Sequence, residues 1–108
     1  MSFDLVVRGG TVVTAADEVH ADIGVKDGRI VALGQSLDGA ARTIDAGGLL
    51  VMPGGVDTHC HIEQMEANGS VHEESFVTAS QSAFAGGTTT AICFASQFKG
   101  HPIGPTLD

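Results

Sequence analysis

Two histidines separated by one residue, His59 and His61, stand in the phrase Pro53-Gly54-Gly55-Val56-Asp57-Thr58-His59-Cys60-His61. They follow an apolar run, Leu49 to Met52, and a Pro-Gly-Gly break. In an extended backbone alternate side chains share a face, so Asp57, His59 and His61 are expected to project together. Two imidazoles on one face are what a Zn²⁺-type ion takes from a single strand, its remaining ligands coming from elsewhere. Asp57 suits a supporting role, because a metal-bound imidazole usually gives its other N–H to a carboxylate or carbonyl. Cys60 lies between the two histidines but points to the opposite face, which assigns it to packing rather than ligation. The stretch reads as half of a metal site.

The elements around it fall into two sections. Residues 3–52 read as short strands and turns. Phe3 to Arg8 alternates, Gly9-Gly10 turns, and Thr11 to Thr14 runs back. Ala21 to Lys26 and Arg29 to Leu33 flank Asp27-Gly28, a two-residue hairpin signal because both positions tolerate positive φ. Thr43 to Asp45 and Leu49 to Met52 add two strands around Gly47-Gly48. Such a series predicts a small antiparallel sheet, part of a sandwich. From Pro53 the pattern changes. A strand over residues 56–62 carries the histidines, and a polar loop over residues 63–73 follows. A helix is predicted from about Glu74 to Ala85, with Phe76, Val77, Ala79, Ala83 and Phe84 at helical spacing. Glu73 and Glu74 suit its positive end, and Gly86-Gly87 its C-cap. Thr88 to Ala95 is β-branched and apolar, fit for a strand buried on both faces. Residues 96–108 read as loop. Strand, helix and buried strand make one βαβ unit, the repeat of a parallel sheet or (β/α)8 barrel.

Composition narrows the function classes. The 108 residues are 43% hydrophobic, enough for a core, with five Phe and neither Trp nor Tyr. A net charge of −8 with only five Lys plus Arg argues against nucleic-acid backbones and anionic membrane surfaces. No apolar stretch approaches the ~20 residues of a membrane span, and the start of the chain lacks the pattern of a signal peptide. Cys60 and Cys93, each expected in a buried strand, read as free thiols in a reducing cytoplasm. His20, His72 and His101 carry no ligand claim, and His72 reads as a solvated loop residue. Gly86-Gly87 sit between helix and strand, the reverse of the strand, glycines, helix order of a phosphate cradle.

Several phrases in order carry a family resemblance. They are Phe3 to Gly10, Asp27-Gly28-Arg29-Ile30, Ile44-Asp45-Ala46, Pro53 to His61, and Ala85-Gly86-Gly87-Thr88-Thr89-Thr90. Together they resemble the start of the cyclic amidases of the amidohydrolase superfamily. The Pro-Gly-Gly-Val-Asp wording, with Ile62-Glu63-Gln64 after the histidines, looks like the D-hydantoinase and dihydropyrimidinase branch rather than allantoinases or dihydroorotases. Members of this family are several times longer. They close a (β/α)8 barrel beside a small sandwich, and use a dinuclear metal centre, usually Zn²⁺, to open a cyclic amide or ureide with an activated hydroxide.

The resemblance implies that residues 1–52 are the N-terminal sandwich part and residues 53–108 the start of an incomplete barrel. It makes His59 and His61 ligands of one metal, with Asp57 supporting them. Ile62 and Met65 would stand in the first loop over the substrate. The family's bridging lysine, further histidine ligands and proton-shuttling aspartate have no match here, Lys26 and Lys99 included, so no catalytic residue is assigned and the chain alone is expected to be inactive. It reads as an N-terminal fragment, a truncated frame or a relic. The implied parent is a cytoplasmic homo-oligomer. A non-catalytic, dihydropyrimidinase-related scaffold is the rival, and retention of both imidazoles argues against it.

Overall fold

The computed structural model of the protein describes residues 2–65, 68–71 and 73–107, so the loop reading of His72 lies outside the described residues. The chain divides into two compact units, Met1–Pro53 and Gly54–Asp108. The element order gives a mixed α and β protein with little helix: β1 (Phe3–Val13), β2 (Glu18–Lys26), β3 (Arg29–Gly34), β4 (Ala40–Asp45), β5 (Leu50–Val51), β6 (Gly55–Cys60), α1 (Phe76–Ala85), β7 (Thr88–Cys93) and α2 (Gly104–Leu107). The last of these replaces part of the loop expected after residue 96. Among the described residues no helix is long and apolar enough to cross a membrane.

The N-terminal unit is one sheet in the order β3-β2-β1-β4, with β5 also paired to β1. β1–β2 and β2–β3 are antiparallel, and Asp27-Gly28, at φ 49° and 70°, forms the expected hairpin turn. The sheet as a whole is not antiparallel, however: β4 and β5 both run parallel to β1. The physical reason lies in residues 35–39, which cross from β3 to the far edge of β1 instead of folding back beside it. Asp22, a buried carboxylate, fixes that crossing by accepting the Leu37 N–H at 3.0 Å and the Gly9 N–H at 2.9 Å. Arg8 adds bonds to the Leu37 carbonyl (2.6 Å) and to Asp38 (3.2 Å).

Gly9-Gly10 does not turn the chain. Gly9, at φ 73°, opens a bulge inside one continuous eleven-residue strand, and the register with β2 shifts between Val7 and Gly10. The bulge divides β1 between two parallel partners, β4 along Phe3 to Arg8 and β5 at Thr11 and Val12. Val12, Ala21 and Ile23 form the core of this unit, with Val7, Val25 and Val51 packed against them, and Val6 is fully buried.

In the C-terminal unit β6 and β7 pair in parallel, and α1 joins them. The helix starts at Phe76 rather than near Glu74, because Ser75 caps it. Ser75 Oγ accepts the Thr78 N–H (3.2 Å), and Thr78 Oγ1 accepts the Ser75 N–H (3.0 Å). An acidic group from further back in the chain, Glu63, also meets the positive helix end and accepts the Phe76 N–H at 2.9 Å. Gly86 is the C-cap, as expected. Gly54 has to be glycine, since a Cβ there would lie 2.0 Å from Thr89 Oγ1. The expectation that β7 is buried on both faces fails: Thr88 is half-buried and the other five residues are exposed. Two strands and one ten-residue helix cover only one side of so small a sheet, and Ala79 is the single buried residue of α1.

Candidate metal centre

His59 is the penultimate residue of β6, before Cys60, and His61 follows the strand directly. Their rings converge as the spacing predicts. The two Nε2 atoms lie 3.1 Å apart, with ring centroids 5.1 Å apart and planes tilted by 58°. A tetrahedral ion about 2.05 Å from each nitrogen sets its ligand atoms about 3.3 Å apart, so the pair has the bite of a chelate with almost no rearrangement. The donor set also fits: neutral imidazole suits Zn²⁺ and its neighbours in the transition series. Among the described residues no group of three or more His, Cys, Asp or Glu gathers to hold a metal, so the pair offers two candidate donors.

The β6–β7 register pairs Asp57 with Ala91 and Cys60 with Cys93, two intervening residues on one strand against one on the other. The extra residue makes a bulge at Thr58-His59, which breaks strict alternation after Asp57. Its carboxylate accepts the His59 backbone N–H at 3.0 Å. Asp57 therefore supports the first histidine through its main chain.

Two contacts from outside the motif hold the rings. Gln64 Oε1 is hydrogen-bonded to His61 Nδ1, and Glu63, one residue earlier, ties the same loop to the start of α1. Phe94, the residue after β7, stacks on His59 at 5.3 Å and 27° and lies against His61 at 5.0 Å and 39°. No role for Gln64 or Phe94 was read from the sequence. For Gln64 the signal was a spacing of three from His61; for Phe94 there was none, because it reaches the site through sheet register.

Ile62 is half-buried and lines a cleft of about 370 Å³ with Asp57, Cys60, His61, Ala79 and Ala83. Met65 is exposed and forms an isolated antiparallel bridge with Val71. Cys60 and Cys93 are register partners and free thiols with sulfurs 3.7 Å apart, Cys60 half-buried and Cys93 exposed rather than both buried. Burial raises the Cys60 thiol above its ordinary pKa, and the Cys93 thiol and the Asp57 charge add to this.

Comparison with known proteins connects this geometry to a family. No protein-family model matches the chain. A D-hydantoinase from Ralstonia pickettii is 44% identical over 104 residues, 96% of this chain and 22% of that protein. An allantoinase from Rubrobacter xylanophilus is 47% identical over 108 residues, 99% of this chain and 22% of that protein. A solved D-hydantoinase structure superimposes with a TM-score of 0.87 at 42% identity, covering 97% of this chain and 23% of that one. The chain thus spans about a fifth of the length of the curated relatives it matches. Hydantoinases and allantoinases match at similar identity, so the wording around Gly55 does not by itself separate the two. In sequence and in fold the chain corresponds to the N-terminal part of the D-hydantoinases and allantoinases, the cyclic amidohydrolases.

Proposed function

We propose that this chain supplies the first metal-binding strand of a metal-dependent hydrolase that opens cyclic amides of the hydantoin or dihydropyrimidine type. The observation that carries the reading is the 3.1 Å approach of His59 Nε2 to His61 Nε2, a chelating separation between residues two apart at one strand end. In this reading residues 53–108 open a (β/α)8 barrel whose later strands bring the remaining ligands, and residues 1–52 belong to the accompanying small sandwich. Zn²⁺ is the favoured ion, one of two in the complete centre. Allantoin, itself a cyclic ureide, is the second substrate, favoured by the 47% identity to an allantoinase.

A divalent ion held by the pair would lower the pKa of a bound water towards neutrality and polarise the amide carbonyl. The chain's own residues have narrower tasks. His59 and His61 would hold the ion through their Nε2 lone pairs, which lie in the ring planes. Asp57 holds the His59 backbone. Ile62 and Met65, on the loop after the ligands, stand where the ring substituent of a substrate would be sorted. Free Cys60 and Cys93 fit a reducing cytoplasm, and the exposed β6–β7 sheet fits an enzyme completed by further strands and assembled as an oligomer.

The test is a chimera in which this chain replaces the matching fifth of the Ralstonia pickettii D-hydantoinase. We expect metal-dependent hydantoin opening that is lost in His59→Ala and His61→Ala, whereas the 108-residue chain alone binds Zn²⁺ weakly and hydrolyses nothing. A folded chimera that holds no metal and opens no ring would refute the hydrolase reading in favour of a scaffold.

A further inference from the structure

We propose that Phe94 is a positioning residue that sets the ring planes of His59 and His61 before a metal arrives; this rests on the metal-ligand reading above. An imidazole on a strand end is free to rotate about two side-chain bonds, and each rotation that carries Nε2 away from its partner destroys the bite. The two rings do not hold each other: their planes are tilted by 58°, and the single Nε2 contact leaves rotation about that axis open. Phe94 closes this freedom from the third side, nearly equidistant from both centroids at 5.3 and 5.0 Å.

Its placement follows from register. Cys93 pairs with Cys60 and shares that face, so the next residue along β7 falls on the histidine side. The Phe94 N–H donates to the Cys60 carbonyl at 2.7 Å, which ties its backbone to the residue between the two ligands. Its ring stacks on His59 and lies tilted against His61, and the imidazole lone pairs lie in their own ring planes, so the packing does not compete with coordination. The electron-rich face of the benzene ring also favours an imidazole that has given density to a cation. An aliphatic side chain of similar bulk would fill the space without defining a plane.

The experiment compares the full 108-residue chain with Phe94→Leu, Phe94→Tyr and the His59→Ala/His61→Ala double variant, using Zn²⁺ alone as the probe. Two quantities are read: the ring-current displacement of the imidazole carbon-bound protons in the metal-free state, and the Zn²⁺ dissociation constant by titration. We expect upfield-displaced imidazole protons in the wild type, lost in Phe94→Leu and kept in Phe94→Tyr. Zn²⁺ affinity should fall about tenfold in Phe94→Leu, the lower end of what the loss of an outer-shell partner costs, and recover in Phe94→Tyr. Undisplaced imidazole protons in the wild type overturn the proposal whatever the variants do. Equal Zn²⁺ affinity of wild type and Phe94→Leu, with β6–β7 amide signals intact, overturns it while leaving the metal reading standing. A wild type that binds Zn²⁺ no better than the double histidine variant removes the metal reading itself, and this proposal with it.

Discussion

Replacing Ser75 by Ala tests how the site's loop is held, because Ser75 touches neither histidine. The bonds that secure the start of α1 include Thr78 N–H to Ser75 Oγ, Ser75 N–H to Thr78 Oγ1, and Phe76 N–H to the Glu63 carboxylate. Alanine removes the first and breaks the reciprocity of the second. Loss of such a cap costs about 1 kcal/mol, which multiplies the opening equilibrium of the helix about fivefold. Little else offsets the loss. The helix has ten residues and buries only Ala79, and isolated helices below about 12–15 residues are marginal in water. Amide exchange of Ala79, whose N–H bonds to the Ser75 carbonyl at 2.9 Å, should accelerate about fivefold in Ser75→Ala. Glu63→Gln keeps an acceptor oxygen but loses the charge at the positive helix end, so about twofold is expected. Since Gln64 follows Glu63 and holds His61, both variants should also broaden the His61 ring signals. Unchanged Ala79 exchange in Ser75→Ala would show that α1 is held by something other than its cap, and the link from cap to imidazole would fall.

Two further outcomes follow from the geometry. The Gly9 and Leu37 N–H groups lower the Asp22 pKa; burial opposes them, and Arg8 and His20 lower it further. A carboxyl depressed by folding stabilises above the unfolded carboxylate range of about 4, and that contribution is lost as pH falls through the depressed value. Denaturation midpoints by circular dichroism should therefore drop between pH 7 and pH 3 more in the wild type than in Asp22→Asn; equal drops would contradict the role given to the carboxylate. In the chimera, Met65→Ala should change the preference among hydantoins with different ring substituents, and an unchanged preference would remove Met65 from the substrate loop.

Much of the site was legible in the residues because its determinants are local. His59 and His61 are two apart, and a strand end places such side chains together whatever the rest of the molecule does. The Asp27-Gly28 hairpin, the position of α1 to within two residues and the β7 strand were equally readable, each resting on turn chemistry or periodicity confined to about a dozen residues. Asp57 shows where local reading stops. Alternation predicts a shared face with the imidazoles, whereas a bulge between Asp57 and Cys60 breaks that alternation and the carboxylate accepts the His59 backbone N–H. A bulge is decided by how β6 registers against β7, some thirty residues away.

By itself the sequence determined the candidate donor types, their spacing and the order of strands and helix, since these depend on side-chain chemistry and short-range backbone preference. Tertiary structure alone decided that the first sheet is mixed, through a buried Asp22 collecting N–H groups from Gly9 and Leu37. It also decided that Glu63 caps α1 and that Phe94 closes on both histidines. Those contacts join residues 13 to 35 positions apart. They exist only once pairing fixes the register, which is an energy balance over whole strands rather than a property of any one segment.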